Sequence, residues 1–281
     1  MARFHERRAA LAEGIREDHP LLDPRVRRRR REGPKRTCVL SDVHANLPAL
    51  DAVLQSAREL GADSYLFLGD AVGYGPHPSE CIQRVAEWPH STLIRGNHDN
   101  TIGTGLFEDG MNRQAKFCAE WTRDQLNAEQ REWLHMLPTE SHNGNWLAVH
   151  GAPRDPNRFL AYVYELTYEG NLANMQKRDL LLSFYGHTHV QFVYSRIPGE
   201  EDQKLGPKAM TVLKPNRFLL INPGSVGQPR DGDSRAACSM WDRKTNRVTP
   251  HRAEYPLERT IADLRKAGLP NDLVYRLEIG R

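Results

Sequence analysis

From Thr37 onward the chain alternates short apolar runs with amphipathic stretches. TCVL at 37–40 reads as a buried strand. LPALDAVLQSAREL follows, with apolar positions 47, 50, 53, 54, 57 and 60 on one face of a helix, and SYLFLG at 64–69 reads as a second strand. HPSECIQRVAEW predicts another helix, STLI a third strand, and NRQAKFCAEWTRDQL with AEQREWLHML a helical pair near 112–137. Further strands are expected at WLAV, LLSFY, QFVYS, AMTVL, RFLLI, ACSMW and RVTPHRAEY, and a closing helix at LERTIADLRKAG.

The leading βαβ pattern predicts an α/β protein with parallel pairing and ligand-binding residues at the carboxyl ends of the strands. No linker or internal repeat divides residues 37–281, which read as one domain, with a helical lid over 104–140. Residues 1–36 read as a separate basic extension. A short helix fits 3–17, but Pro20, Pro24 and Pro34 break anything longer.

Charge sharpens that division. The formal charge is +3 overall, yet residues 1–36 hold 12 Lys+Arg against 6 Asp+Glu, leaving 27 against 30 in the rest. Most of the excess lies in RVRRRRREGPKR, which opens with Arg25 and closes with Arg36. Such an arm suits nucleic acid or another polyanion, and equally a solvated extension. No apolar run approaches the length of a membrane span, and the start lacks a secretory apolar core, so a soluble cytoplasmic protein is expected. Cys38, Cys81, Cys118 and Cys238 are scattered without a CxxC pair, which excludes a thiolate zinc site or a small disulfide framework.

Candidate chemistry gathers at five strand ends. TCVL runs into Asp42 and His44, SYLFLG into Asp70, STLI into Arg95-Gly96-Asn97-His98-Asp99, WLAV into His150, and LLSFY into Gly186-His187-Thr188-His189. One such residue after a strand is ordinarily a cap or turn; five in succession point to a shared ligand. Asp42 and His44 are one residue apart, so an extended segment would turn both to one side. The set offers carboxylate, imidazole and amide donors, suited to divalent Mn or Fe foremost, and to Zn, Ni or Co. Asp42, His44, Asp70, Asn97, His150, His187 and His189 are too many for one tetrahedral ion. Two ions sharing a carboxylate fit better. They would keep a formal +2 against two carboxylates, which attracts phosphate, and Asn97 adds an oxygen without cancelling that charge. Asn97 and His98 are adjacent, so both reach one ligand only where the backbone turns, which Gly96 permits.

The ordered motifs DVH (42–44), GD (69–70), GNHD (96–99), HG (150–151) and GHTH (186–189) resemble the calcineurin-like metallophosphoesterase superfamily. The wording of SDVHANLPALDAVL, GDAVGYGPHP, INPGSVGQPRDG and LRKAGLP is similar to a bacterial and archaeal branch labelled phosphodiesterase or diadenosine-tetraphosphatase-like. The resemblance spans about residues 37–270. It implies a two-sheet β-sandwich flanked by helices, in αββα layers. It also implies that Asp42, His44 and His189 hold one metal, Asn97, His150 and His187 the second, and that Asp70 bridges them. A hydroxide shared by the ions would attack phosphorus in line, His98 would protonate the leaving oxygen, and Asp99 would orient His98.

One departure narrows the analogy. Phosphoprotein phosphatases of this superfamily carry GDxVDRG, where this chain has Gly73 and Tyr74, so the acidic partner of the catalytic His is missing at that position. Arg95 does match their motif and is expected to contact phosphate, beside Asn97 and His98. The expected substrate is a phosphodiester, nucleotide or small phosphomonoester. Two other readings stay open: a metal-holding interaction module with little turnover, and a hydrolase tethered to nucleic acid by its arm. Pocket walls are expected from the loops 73–78, 152–164 and 222–230.

Overall fold

A computed structural model describes residues 34–107, 111–159, 161–206 and 210–281. The helix expected over 3–17 and most of the basic arm lie outside these residues. In chain order the strands are β1 (Arg36–Leu40), β2 (Ser64–Phe67), β3 (Ser91–Leu93), β4 (Glu140–Asn143), β5 (Trp146–Val149), β6 (Leu182–Phe184), β7 (Phe192–Arg196), β8 (Gln203–Lys204), β9 (Thr211–Val212), β10 (Phe218–Asn222), β11 (Ala236–Asp242) and β12 (Arg247–Ala253). The helices are α1 (Leu47–Glu59), α2 (Pro78–Ala86), α3 (Asn97–Thr104), α4 (Arg113–Gln125), α5 (Ala128–Met136), α6 (Tyr168–Lys177), α7 (Leu257–Lys266) and α8 (Asn271–Ile279).

The strands form two mixed sheets of six, in the orders β3-β2-β1-β11-β12-β9 and β4-β5-β6-β10-β7-β8. As the βαβ pattern predicts, β1, β2 and β3 are parallel; so are β5, β6 and β10. The period-2 alternation of strand side chains then builds three apolar layers. Val39, Leu66, Phe184, Leu219, Ile221 and Trp241 face inward between the sheets. Cys38 and Leu40 point the other way, onto Leu50, Val53 and Leu54 of α1 and Ile82 of α2. On the opposite outer face Leu147, Val149 and Leu220 meet Leu172 and Met175 of α6. These layers are the αββα sandwich that the resemblance implies.

Phe184 is fully buried in the middle layer and its ring lies 5.3 Å from that of Trp241. Phe184→Ala is expected to destabilise the protein by about 3–5 kcal/mol, read as a lowered midpoint in chemical denaturation. A loss below about 1 kcal/mol would mean the layer collapses around the cavity.

Two expectations change. Lys35 and Arg36 belong to the compact unit Pro34–Arg281; both backbone N–H groups donate to the Asp63 carboxylate, at 2.8 and 3.1 Å, and Arg36 begins β1. The strand expected at AMTVL shrinks to Thr211–Val212, paired only with Arg247 and Val248. The helical pair α4 and α5 packs into the core beside α3 through Ala119, Leu126, Leu134 and Ile102. All four cysteines are unpaired and buried. Among the described residues no helix is long and apolar enough to cross a membrane.

Candidate metal centre

The five polar clusters meet at the carboxyl ends of β1, β2, β3, β5 and β6, but the backbone gets them there differently from the extended path expected. Asp42, His44, Asp70, His187 and His189 all have φ between 47° and 66°. Left-handed conformations in non-glycine residues cost on the order of 1–3 kcal/mol each and persist only where the surroundings enforce them. Here the segment after β1 is tied to the segment after β2: the N–H groups of Asp42, His44 and Ala45 donate to the carbonyls of Gly69, Asp70 and Ala71, each at 3.0 Å. Asp42 and His44 therefore converge through a tight left-handed turn. Gly96 likewise is not needed for a turn, since it is extended (φ −96°, ψ −179°). A Cβ there would lie 2.1 Å from Asp70 Oδ1, so Gly96 is required by close approach.

Within the cluster three imidazoles have one nitrogen fixed by a backbone carbonyl. Nδ1 of His44, His150 and His189 lies 3.1, 2.8 and 2.7 Å from the carbonyl oxygens of Val72, Leu68 and Gln228. Protonated Nδ1 leaves Nε2 as a lone pair aimed inward, the arrangement that orients metal-binding histidines. Those lone pairs face other acceptors: His44 Nε2 is 3.0 Å from His189 Nε2, and His150 Nε2 is 3.0 Å from Asn97 Oδ1 and 3.2 Å from Asp70 Oδ2. His189 Nε2 lies 3.3 Å from Asp42 Oδ1. Ligands about 2.0–2.1 Å from a tetrahedral ion sit roughly 3.3 Å apart, so the spacing suits a shared cation.

Asp70 lies near residues of both groups. Its Oδ1 accepts from the His98 backbone N–H at 2.9 Å. Oδ2 is buried without a hydrogen-bond partner, 3.7 Å from His44 Nε2 and 3.2 Å from His150 Nε2. His187 Nε2 is a second buried atom without a partner. Asp42–His44–His189 and Asp70–His150–His187 are two groups whose ligand atoms lie within 4.8 Å of one another. Nitrogen and oxygen donors with two orphaned buried acceptors fit divalent cations.

The electrostatics agree. Burial lowers the pKa of His44, His187 and His189 well below the usual value, which keeps them in the neutral, ligating form. Burial also pushes Asp42 up to about 7. For Asp70 burial acts in the same upward direction, but His150 and His98 outweigh it and hold the carboxyl well below the carboxylate range. His150 is the exception: against its burial, Asp70 and Asp42 raise it to about 9, so without an ion its Nε2 carries a proton toward Asp70 that a bound cation would displace.

His98 opens α3 with Asn97, and its ring centroid lies 5.0 Å from that of His44 and 4.6 Å from that of Tyr74. It also comes within 4.8 Å of His44 and Asp70, as near as a ligand. Its Nδ1 is buried without a partner, and a Cβ at residue 73 would meet it at 2.5 Å. Gly73 thus offers no side chain to the ring it faces, and His98 Nδ1 has no acidic partner there. Asp99 does not supply one. Its carboxylate accepts from the backbone N–H groups of Asp70 (2.7 Å), Ala71 (2.9 Å), Gly96 (3.1 Å) and Val72 (3.4 Å), so it secures the loop after β2 instead of orienting His98.

Arg95 is also engaged elsewhere. Its Nη1 donates to the His135 carbonyl and lies 3.0 Å from His135 Nδ1, while its guanidinium sits 5.7 Å over the Phe159 ring. Three residues not singled out in the sequence border the ligands instead, one from each expected wall loop. Tyr74 packs against His44 and His98, with centroids 4.9 and 4.6 Å away. Tyr162 lies 4.0 Å from His187, and Arg230 donates its backbone N–H to the His189 carbonyl at 3.0 Å. Alternation and strand-end position mark none of them, because they sit in irregular loops.

Comparison with known proteins places this geometry in a family. Residues 36–244 match the calcineurin-like phosphoesterase superfamily domain. An uncharacterised protein of Methanocaldococcus jannaschii is 33% identical over 251 residues, covering 86% of this chain and 97% of that protein. Phosphodiesterase YfcE of Escherichia coli is 26% identical over 211 residues, covering 72% of this chain and 84% of its own. Among solved structures, a metallophosphoesterase from Sphaerobacter thermophilus is 39% identical with a TM-score of 0.75, covering 88% of this chain and 99% of its own. The chain belongs to the calcineurin-like phosphoesterase superfamily and is a metal-dependent phosphoesterase.

Proposed function

We propose that the centre holds two divalent transition-metal ions, manganese or iron foremost, and hydrolyses a phosphodiester, nucleotide or small phosphomonoester. Asp42, His44 and His189 would hold one ion, Asn97, His150 and His187 the other, with Asp70 between them. The observation that carries this reading is Asp70 Oδ2, a buried orphan oxygen lying between His44 and His150. Bound there, such ions lower the pKa of water and offset charge on phosphoryl oxygens. His98 stands beside the ligands to give its proton to the departing oxygen. Burial lowers its pKa, opposed by Asp70, so the protonated ring would release its proton readily. Tyr74 and Gly73 keep that ring in place without an acidic partner. The name of phosphodiesterase YfcE supports a diester as the first substrate to try.

The test is a panel run on metal-loaded protein: bis-p-nitrophenyl phosphate, p-nitrophenyl phosphate, cyclic nucleotides, dinucleoside polyphosphates and a phosphopeptide. Metal-dependent turnover of a diester or nucleotide is expected. No turnover across the panel with full metal content would favour the interaction-module reading.

On this proposal the protein works in the cytoplasm, and residues 1–33 contribute nothing to turnover. Deleting them is expected to leave kcat/KM for small substrates within about twofold, because the ligands begin at Asp42. A large loss in a folded, metal-loaded deletion would place the arm in the site. Salt-dependent binding of RNA or DNA that disappears on deletion would support the nucleic-acid tether.

A further inference from the structure

Arg230 is a cation whose surroundings leave it free for an anion. Its neighbours are paired, Asp231 with Arg252 and Asp233 with Arg235, whereas Arg230 makes no ion pair among the described residues. Its Nε is buried without a hydrogen-bond partner. A buried guanidinium N–H left unmatched is costly unless something occupies it.

The same loop fixes both the guanidinium and the ligand beside it. Arg230 Nη2 donates to Gln228 Oε1 at 2.9 Å, and the Gln228 carbonyl is the group 2.7 Å from His189 Nδ1. The guanidinium also lies against the Tyr74 hydroxyl, whose ring packs on His44 and His98. With Nη2 held by Gln228, the Nε–H is the donor left without a partner, a charge-assisted donor suited to a phosphoryl oxygen. We propose that Arg230, positioned by Gln228, is the arginine that binds a non-bridging oxygen of the substrate phosphoryl group, and of inorganic phosphate bound in its place. Arg95 also has a buried Nε without a partner, but its Nη1 is held by the His135 carbonyl and its guanidinium lies over Phe159, so Arg230 is the one assigned. This inference rests on the phosphoesterase reading.

The experiment uses the full-length, metal-loaded protein with bis-p-nitrophenyl phosphate as substrate and inorganic phosphate as probe. Arg230→Gln is expected to weaken orthophosphate inhibition about tenfold or more and to raise KM by a similar factor, with metal content unchanged. Arg230→Lys should recover only part of the loss, since an ammonium keeps the charge but loses both the Nε–H and the Gln228 contact that positions it. Arg235→Gln, which removes a nearby exposed charge, should leave both constants as in the wild type. Orthophosphate inhibition and KM within twofold of wild type in Arg230→Gln would overturn the assignment while leaving the phosphoesterase reading intact. Equal losses in Arg235→Gln, or a loss in Arg95→Gln that Arg230→Gln lacks, would overturn it as well. If Arg230→Gln unfolds or sheds metal, Arg230→Lys decides: wild-type constants there reject the guanidinium contact. A metal-loaded wild type that neither turns over substrate nor binds orthophosphate would sink the phosphoesterase reading itself.

Discussion

Asp70→Ala is expected to cost the protein both ions, where any other single ligand substitution should chiefly cost one. Its Oδ2 lies 3.7 Å from His44 Nε2 and 3.2 Å from His150 Nε2, within reach of one residue from each proposed ligand group. Loss of outer partners alone weakens metal binding by about 10- to 100-fold. Losing a shared direct ligand should exceed that for each ion, and activity should fall with it. Asp70→Asn is the informative companion, because it keeps the shape and the Oδ1 contact to the His98 N–H while removing a charge. Metal analysis after dialysis reads the result. Full occupancy in Asp70→Ala would remove Asp70 from the bridge.

The second large effect is expected at His98. His98→Asn should keep both ions yet lose activity unequally across substrates. A p-nitrophenolate departs without a proton, whereas a ribose or alkyl alkoxide does not, so the loss should climb toward about 10²–10⁴ for the poorest leaving groups. The logarithm of the loss plotted against leaving-group pKa reads the role. A flat line would mean that His98 only holds the phosphoryl group. Loss of one ion would make His98 a ligand, which its approach to His44 and Asp70 keeps as a real outcome.

The cluster proposed as the ligand set was legible in the sequence because metal chemistry restricts residue types so strongly. Asp, His and Asn beside Gly after five apolar runs is a pattern that strand alternation alone does not produce. What the sequence conceals is how the backbone brings them together. Spacing suggested that Asp42 and His44 share a side of an extended segment, yet both sit at positive φ. That conformation is imposed by hydrogen bonds to residues 69–71, about thirty positions away, and no local propensity encodes it. The Gly96 case is similar, since its necessity lies in the Asp70 carboxylate that approaches it.

The elements that escaped notice share a cause. The sequence of α3, NHDNTIGT, is poor in helix formers; its N-terminal turn is closed by Asp99 reaching back to the Gly96 N–H. α6 carries Gly170 among polar residues, and β4 is a largely exposed edge strand with no apolar alternation. α8 follows Pro270 directly, where the chain had seemed to end its helical pattern. Tyr74, Tyr162 and Arg230 lie in loops, where a side chain's role depends on which strand ends it meets. The walls were foreseeable as segments, and the residues that matter within them became visible only in three dimensions.

The most direct test of the central claim is anomalous diffraction from crystals of manganese-loaded protein, collected where manganese scatters anomalously. The account predicts two peaks, one among Asp42, His44 and His189 and one among Asn97, His150 and His187, with Asp70 touching both. A single peak, or manganese bound away from these seven side chains, would contradict it.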